Sequence, residues 1–239
     1  MRRFVQSFAA EAIPPGLPRE IAEALPTFPD RYNIAVRKPA AVIVDLGEGP
    51  IVADFDWGLI PSWSPRPETK YSTMTARLSR APRSRIFRRL WEKRHCVVPM
   101  NGYYKWDRGS KPPQPYFIQS TSGSLLFAAG LWDLWHREEP FVTSFAMLTA
   151  GNPAIPSPLY PDGPVFVKAD KVIDWVTKPW FPMRFLTNMP QPSLEAYPVS
   201  RRIKSRDADD YTLLEQVDPL EDAIASSGFD DVLEEDDKL

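Results

Sequence analysis

Apolar and polar residues alternate along this 239-residue chain in short bursts, and proline or glycine interrupts most bursts before a long helical period can build. The pattern predicts strands at 31–36, Ala40–Leu46 (ending at Gly47), Ile51–Trp57, Cys96–Pro99, Tyr103–Trp106, Thr143–Ala150, Val165–Val167 and Leu194–Ile203. Gln114–Gln119 and Leu125–Trp132, separated by Thr121-Ser-Gly-Ser, read as a hairpin. Residues 1–12 suit a strand, with a short helix as the alternative. Helical spacing is confined to Pro18–Leu25, to Ser84–Lys93 with Ile86, Phe87, Leu90 and Trp91 on one face, and to Lys168–Val176 with Asp170 as its cap. The prolines of 153–164 require an irregular loop.

Composition supports a mainly-β reading. Twenty-seven prolines against 11 glycines disfavour long helices, and the 12% aromatic share supplies large buried side chains. Two regions hide behind the net charge of −2: from Leu213 onward there are ten acidic residues and only Lys238 basic, leaving a body of about +7. Residues 1–212 are therefore expected to form one domain, and 213–239 an acidic, flexible, solvated tail that could dock a partner or cover the basic face. One cysteine, Cys96, excludes an internal disulfide framework. No signal peptide and no apolar run near ~18 residues is visible, which predicts a soluble cytoplasmic protein without a membrane span. One cysteine and two distant histidines, His95 and His136, fall short of a metal set, and no phosphate loop, dinucleotide fingerprint or nucleophile elbow is present. Neither a metal nor a cofactor is expected.

Positive charge concentrates between Thr75 and Trp106. Arg77, Arg80, Arg83, Arg85, Arg88, Arg89, Lys93 and Arg94 stand against Glu92 alone, which suits either a polyanion-binding face or a solvated helix surface. Trp63, Tyr103, Tyr104 and Trp106 lie in or beside this stretch. Such rings can stack on unpaired bases or fill a core.

Arg31-Tyr-Asn-Ile-Ala, Trp57-Gly-Leu-Ile-Pro-Ser-Trp, Thr75-Ala-Arg, Arg94-His-Cys-Val-Val-Pro, Gly102-Tyr-Tyr-Lys-Trp, Phe127-Ala-Ala-Gly-Leu-Trp, Pro164-Val-Phe-Val and Tyr197-Pro-Val-Ser succeed one another in an order and spacing that resemble the SOS response-associated peptidase (SRAP) family. The resemblance runs from about Arg3 to about Ile203. It implies an α+β fold, a single mainly antiparallel β domain with curved, barrel-like sheets and a few short helices, that binds single-stranded DNA and traps abasic sites.

In such proteins an N-terminal cysteine would capture the sugar aldehyde as a thiazolidine, assisted by an Asn in Asn-Ala-Arg, a Glu in Gly-Phe-Tyr-Glu-Trp and a His ahead of Arg-Met-Pro-Val. This chain departs at each of these positions. It begins Met1-Arg2-Arg3-Phe4, and the matching positions hold Thr75, Lys105 and Tyr160. Arg3, Arg77 and Trp63 are retained, and with Arg88 and Trp106 they form the expected DNA-binding set.

Cys96, inside a predicted strand, reads as core and not as a replacement nucleophile. The resemblance therefore implies binding of single-stranded or abasic DNA without cysteine-based trapping. One alternative is an imine formed by Lys105 or the Met1 amine; another is a scaffold turned to protein binding. The catalytic candidates are Thr75, Lys105, Tyr160 and Met1.

Overall fold

The structure, a computed structural model, describes residues 2–68, 73–177 and 179–226. Twelve strands are present among the described residues: β1 (Arg3–Gln6), β2 (Arg31–Ala35), β3 (Pro39–Asp45), β4 (Pro50–Trp57), β5 (Thr75–Arg77), β6 (His95–Met100), β7 (Gly102–Asp107), β8 (Gln114–Ser120), β9 (Leu126–Trp135), β10 (Val142–Gly151), β11 (Asp162–Pro164) and β12 (Leu194–Pro198). Short helices join them: α1 (Arg19–Ala24), α2 (Arg88–Lys93), α3 (Val172–Val176), α4 (Pro182–Thr187) and α5 (Pro219–Ser226).

β4, β3, β6 and β9 pair in that order, and β10 closes the ring by pairing antiparallel with β9 and parallel with β4. The result is a five-stranded barrel. β5 adds to β10 in parallel and β11 adds to it antiparallel. A second sheet, ordered β12-β8-β7-β1-β2, is antiparallel throughout.

Period-two alternation explains why the barrel strands read so clearly in the sequence. Ala41, Ile43, Val97, Ala129, Leu131, Ala146 and Leu148 point to a core that also takes Ile21, Leu25, Leu90, Trp91, Trp175 and Leu186 from the helices. Their neighbours Val42, Val44, Cys96, Val98, Ala128, Phe145 and Met147 pack instead with Phe4, Ile34, Tyr103 and Ile118 of the second sheet. Both faces of these strands are buried. That is why they form apolar runs, each strand feeding two cores.

Several local expectations are corrected. The 114–132 hairpin does not form: β8 pairs with β7 and β12, and β9 pairs with β6 and β10 in the barrel. The intervening turn is diverted by Thr121 N–H donating to the Ser193 carbonyl and Leu125 N–H to the Ala12 carbonyl. α2 starts at Arg88, because the Ser84 hydroxyl holds the amides of Ile86 and Phe87 in a turn ahead of it. Asp170 caps nothing; a 3-10 turn at Ala169–Lys171 precedes α3, and its cap position is Lys168. The last strand ends at Pro198 and gives way to a 3-10 turn at Arg201–Lys204.

Described residues beyond 212 touch the body. Leu213 is fully buried against Val5, Tyr104, Phe117, Val199 and Ile203. Asp222 of α5 forms a 2.7 Å ion pair with Arg201, and their side chains are only 9% and 5% exposed. Acidic composition suggested a solvated end, but a buried arginine on the body needs a carboxylate and finds it here. Residues 227–239, the most acidic part of the expected tail, lie outside the described residues.

Candidate functional site

β7 organises the site by presenting two different faces. Its start at Gly102 admits no side chain: a Cβ there would lie 2.2 Å from the Ile118 carbonyl and 2.5 Å from the Phe117 ring. The close approach to β8 fixes the register Tyr103↔Ile118 and Lys105↔Tyr116. Tyr104 points to one side, where its hydroxyl donates to the Tyr32 carbonyl at 2.9 Å and its ring packs 5.2 Å from Phe117. Trp106, half-buried, lies against the same cluster. Tyr103 and Lys105 point to the other side.

There Lys105 is buried, and its ammonium donates to the backbone carbonyl of Asp162. The Tyr160 ring, 72% exposed, lies 5.9 Å from the same nitrogen. Asp162 reaches this point because β11 pairs with the end of β10, Asp162 opposite Gly151. β5 places Arg77 opposite Thr149 of β10. The Arg77 guanidinium then meets Asp162 Oδ2 at 3.3 Å. One residue of β11 thereby holds two cations by different groups.

Electrostatics reflect burial. Loss of water lowers the Lys105 pKa, and the Asp162 carboxylate opposes that shift only in part. Burial raises the Tyr103 phenol, reinforced by the same carboxylate. Tyr103 Oη, Asp162 Oδ1 and Asn152 Nδ2 are buried and make no hydrogen bond with the described residues. Asn152 is tied to the same loop, its backbone amide donating to the Pro161 carbonyl at 2.9 Å. Buried polar atoms are ordinarily paired, and three of the six buried orphans among the described residues lie on Tyr103, Asn152 and Asp162.

The expected residues divide. Thr75, half-buried, lies two residues before Arg77 on β5, so Thr75, Arg77, Lys105 and Tyr160 gather around β10 and β11. Met1 lies outside the described residues. Arg3 does not face this group: its guanidinium donates to Asn33 Oδ1 and to the Lys204 carbonyl, both at 2.9 Å, bracing β1 to β2 and to the 201–204 turn. Trp106 is on the opposite face of β7.

Trp63, 40% exposed, is covered by Arg85 at 5.7 Å. Arg88 is exposed at the start of α2 while Leu90 and Trp91 anchor the helix. Arg94 is withdrawn from the basic face by an ion pair with buried Asp133 and by the Trp132 ring 4.8 Å away. His95 is stacked on Trp175 at 4.2 Å in the core, and His136 is exposed.

Asp162 and Asn152 were not anticipated. The available signal was that Asp162 is the one charged residue in the proline-rich 153–164 segment. A concavity of about 510 Å3 lies elsewhere, lined by Lys168, Lys171, Trp180, Phe181 and Arg184 among others, and contains none of the residues around Lys105. Chemistry, not size, locates the site. Among the described residues no group of His, Cys, Asp and Glu is placed to hold a metal.

A five-stranded barrel, a flanking antiparallel sheet and a few short helices define the class: a small, mainly antiparallel α+β protein. The family model for SOS response associated peptidase (SRAP) matches residues 2–206, and the chain belongs to that family. It is 28% identical over 181 residues to abasic site processing protein YoaM of Bacillus subtilis, covering 73% of this chain and 79% of that protein. It is 26% identical over 151 residues to abasic site processing protein YedK of Escherichia coli, covering 62% and 66%. Abasic site processing protein YMR114C of Saccharomyces cerevisiae is 35% identical over 99 residues, which span 41% of this chain and only 26% of the yeast protein. A solved structure from Bacteroides thetaiotaomicron shares the fold, with a TM-score of 0.70 at 20% identity over 84% of this chain and 92% of that one.

Proposed function

We propose that the chain binds single-stranded DNA containing abasic sites and does so without a thiol cross-link. The carrying observation is that the only cysteine of the sequence, Cys96, is fully buried in β6, where burial raises its thiol pKa. A thiolate is the reactive species, so this side chain is inert toward a sugar aldehyde. The family relatives named for abasic site processing supply the substrate class. Arg77, exposed beside Lys105 and Thr75, supplies a phosphate contact, and Arg80, Arg83, Arg85, Arg88, Arg89 and Lys93, all exposed, extend it.

The test is binding to single strands with and without one abasic site, across a salt series, and then denaturing electrophoresis of the complexes. Salt-sensitive binding, tighter with the lesion and leaving no adduct in the absence of reductant, is the expected result. Salt-independent binding, or a stable adduct on Cys96, contradicts the reading.

A second reading is favoured by Lys105 itself. A buried amine with a lowered pKa is a better nucleophile at neutral pH than a solvated lysine. It can condense with a ring-opened abasic sugar as an imine, and borohydride converts that imine into a permanent link. The Met1 amine is the rival in this reaction, and Lys105→Ala separates the two.

A further inference from the structure

An imine on Lys105 would activate the captured sugar for a second reaction, for which the neighbouring Asp162 supplies a proton acceptor. We propose, resting on the imine reading of Lys105, that Asp162 accepts a proton from that sugar, so that the site cleaves the DNA strand 3′ to an abasic residue and does not merely hold it.

Three features of Asp162 carry this. Its backbone carbonyl receives the Lys105 ammonium, placing the amine next to its own side chain. Its Oδ2 is occupied by Arg77 at 3.3 Å, which anchors the carboxyl group. Its Oδ1 is buried and accepts nothing from the described residues, so its lone pairs are uncommitted on the residue whose carbonyl holds the amine. Carbonyl and carboxylate belong to one residue and are joined through its Cα, so the amine and the free oxygen cannot drift apart without breaking the Lys105 contact.

The chemistry balances with water alone. The neutral Lys105 amine adds to the C1′ aldehyde, the carbinolamine takes up one proton from solvent, and water leaves, giving a protonated imine. That cation acidifies the C2′ hydrogens, and one proton passes to Asp162 Oδ1. The electron pair of the broken C2′–H bond forms the C2′–C3′ double bond as the C3′–O bond breaks, and the 3′ phosphate departs with its electrons. Hydrolysis of the imine returns the Lys105 amine and leaves an unsaturated aldehyde on the strand end.

The experiment uses the full chain with a 5′-labelled single strand carrying one abasic site, assayed with and without borohydride. The unsubstituted protein should give a trapped adduct with reductant and a shortened strand without it. Lys105→Ala should lose both. Asp162→Asn keeps the backbone carbonyl that holds Lys105; it should still be trapped while scission falls by about 100-fold or more, the usual scale for a removed proton acceptor.

Absence of any trapped adduct defeats the imine reading and this inference with it. An adduct without scission, or scission unchanged in Asp162→Asn, overturns the inference and leaves the imine reading standing. Trapping that survives Lys105→Ala assigns the amine to Met1 and overturns it as well. Unfolding midpoints of both variants establish that each is folded under assay conditions.

Discussion

Tyr103 and Tyr104 are neighbours on β7, both fully buried, and they stand in opposite environments. On the Tyr104 side the principal polar groups are paired: its hydroxyl with Tyr32, Arg3 with Asn33, Arg201 with Asp222. On the Tyr103 side the phenol, one oxygen of Asp162 and the Asn152 amide nitrogen have no partner among the described residues, and the ion pair present, Arg77 with Asp162, is 48% and 25% exposed. The closed side has orphans too, Arg201 Nε and Gln114 Oε1, but there the charged group is paired inside the fold, whereas on the Tyr103 side the ion pair reaches solvent. The first face braces the fold, and the second is where the proposed chemistry would lie.

Breaking the closed face should have the largest effect. Arg201→Ala leaves Asp222 and the α5 contact without their cation, and Asp222→Ala leaves a buried guanidinium without its anion. Either should destabilise by about 3–5 kcal/mol in denaturant unfolding, the scale for removing one partner of a buried pair. A change below about 1 kcal/mol would mean that this pair is screened like a surface one, and that residues beyond 212 are peripheral after all.

The two tyrosines provide the direct comparison. Tyr104→Phe strands the Tyr32 carbonyl and should lower stability by about 1 kcal/mol, whereas Tyr103→Phe removes an orphaned hydroxyl and should be neutral or slightly stabilising. Equal losses would show that Tyr103 has a structural partner and that the open face is not open.

The same contrast separates what was legible in the sequence from what was not. Strands of the barrel were readable because each side of β3, β6, β9 and β10 feeds a core, so alternation and apolar density coincide. Barrel closure was not, because it depends on a parallel ladder between Phe145 and Trp57 that no local pattern encodes. The supposed hairpin after Ser120 failed for the same reason: turn chemistry is local, but each strand found a better partner elsewhere.

Thr75, Lys105 and Tyr160 could be placed by motif order. Asp162 could not, since it meets Lys105 across 57 positions and Arg77 across 85. Asp222 looked like one more solvated acid until Arg201, 21 positions earlier, appeared beside it.

Titration of Lys105 offers a subtler test. Burial holds its folded pKa below 10.5, the ordinary lysine value it regains on unfolding. Between the two values the unfolded chain binds more protons than the folded one, so stability rises with pH through that window. Below the folded value both states are protonated and the penalty for burying the ammonium is present in full. Lys105→Met keeps the apolar stem, removes the charge, and should flatten this part of the pH profile while raising stability at neutral pH. An unchanged profile would show that the amine is solvated in the folded protein.

Arg77→Ala should have the smallest effect on the fold and the most specific one on DNA. Its pair with Asp162 is half-exposed, and such pairs contribute about 0–1 kcal/mol, so the unfolding midpoint should scarcely move. The contact offered to a phosphate is lost, however, and the slope of log affinity against log salt should become shallower by about 0.7 for single strands with and without the lesion alike. Because Asp162 then lacks its anchoring cation, any scission attributed to the site should fall even at saturating DNA, separating Arg77's hold on the carboxylate from its hold on the strand. A large loss of stability with an unchanged salt slope would place Arg77 with Arg3 and Arg201, among the braces of the fold.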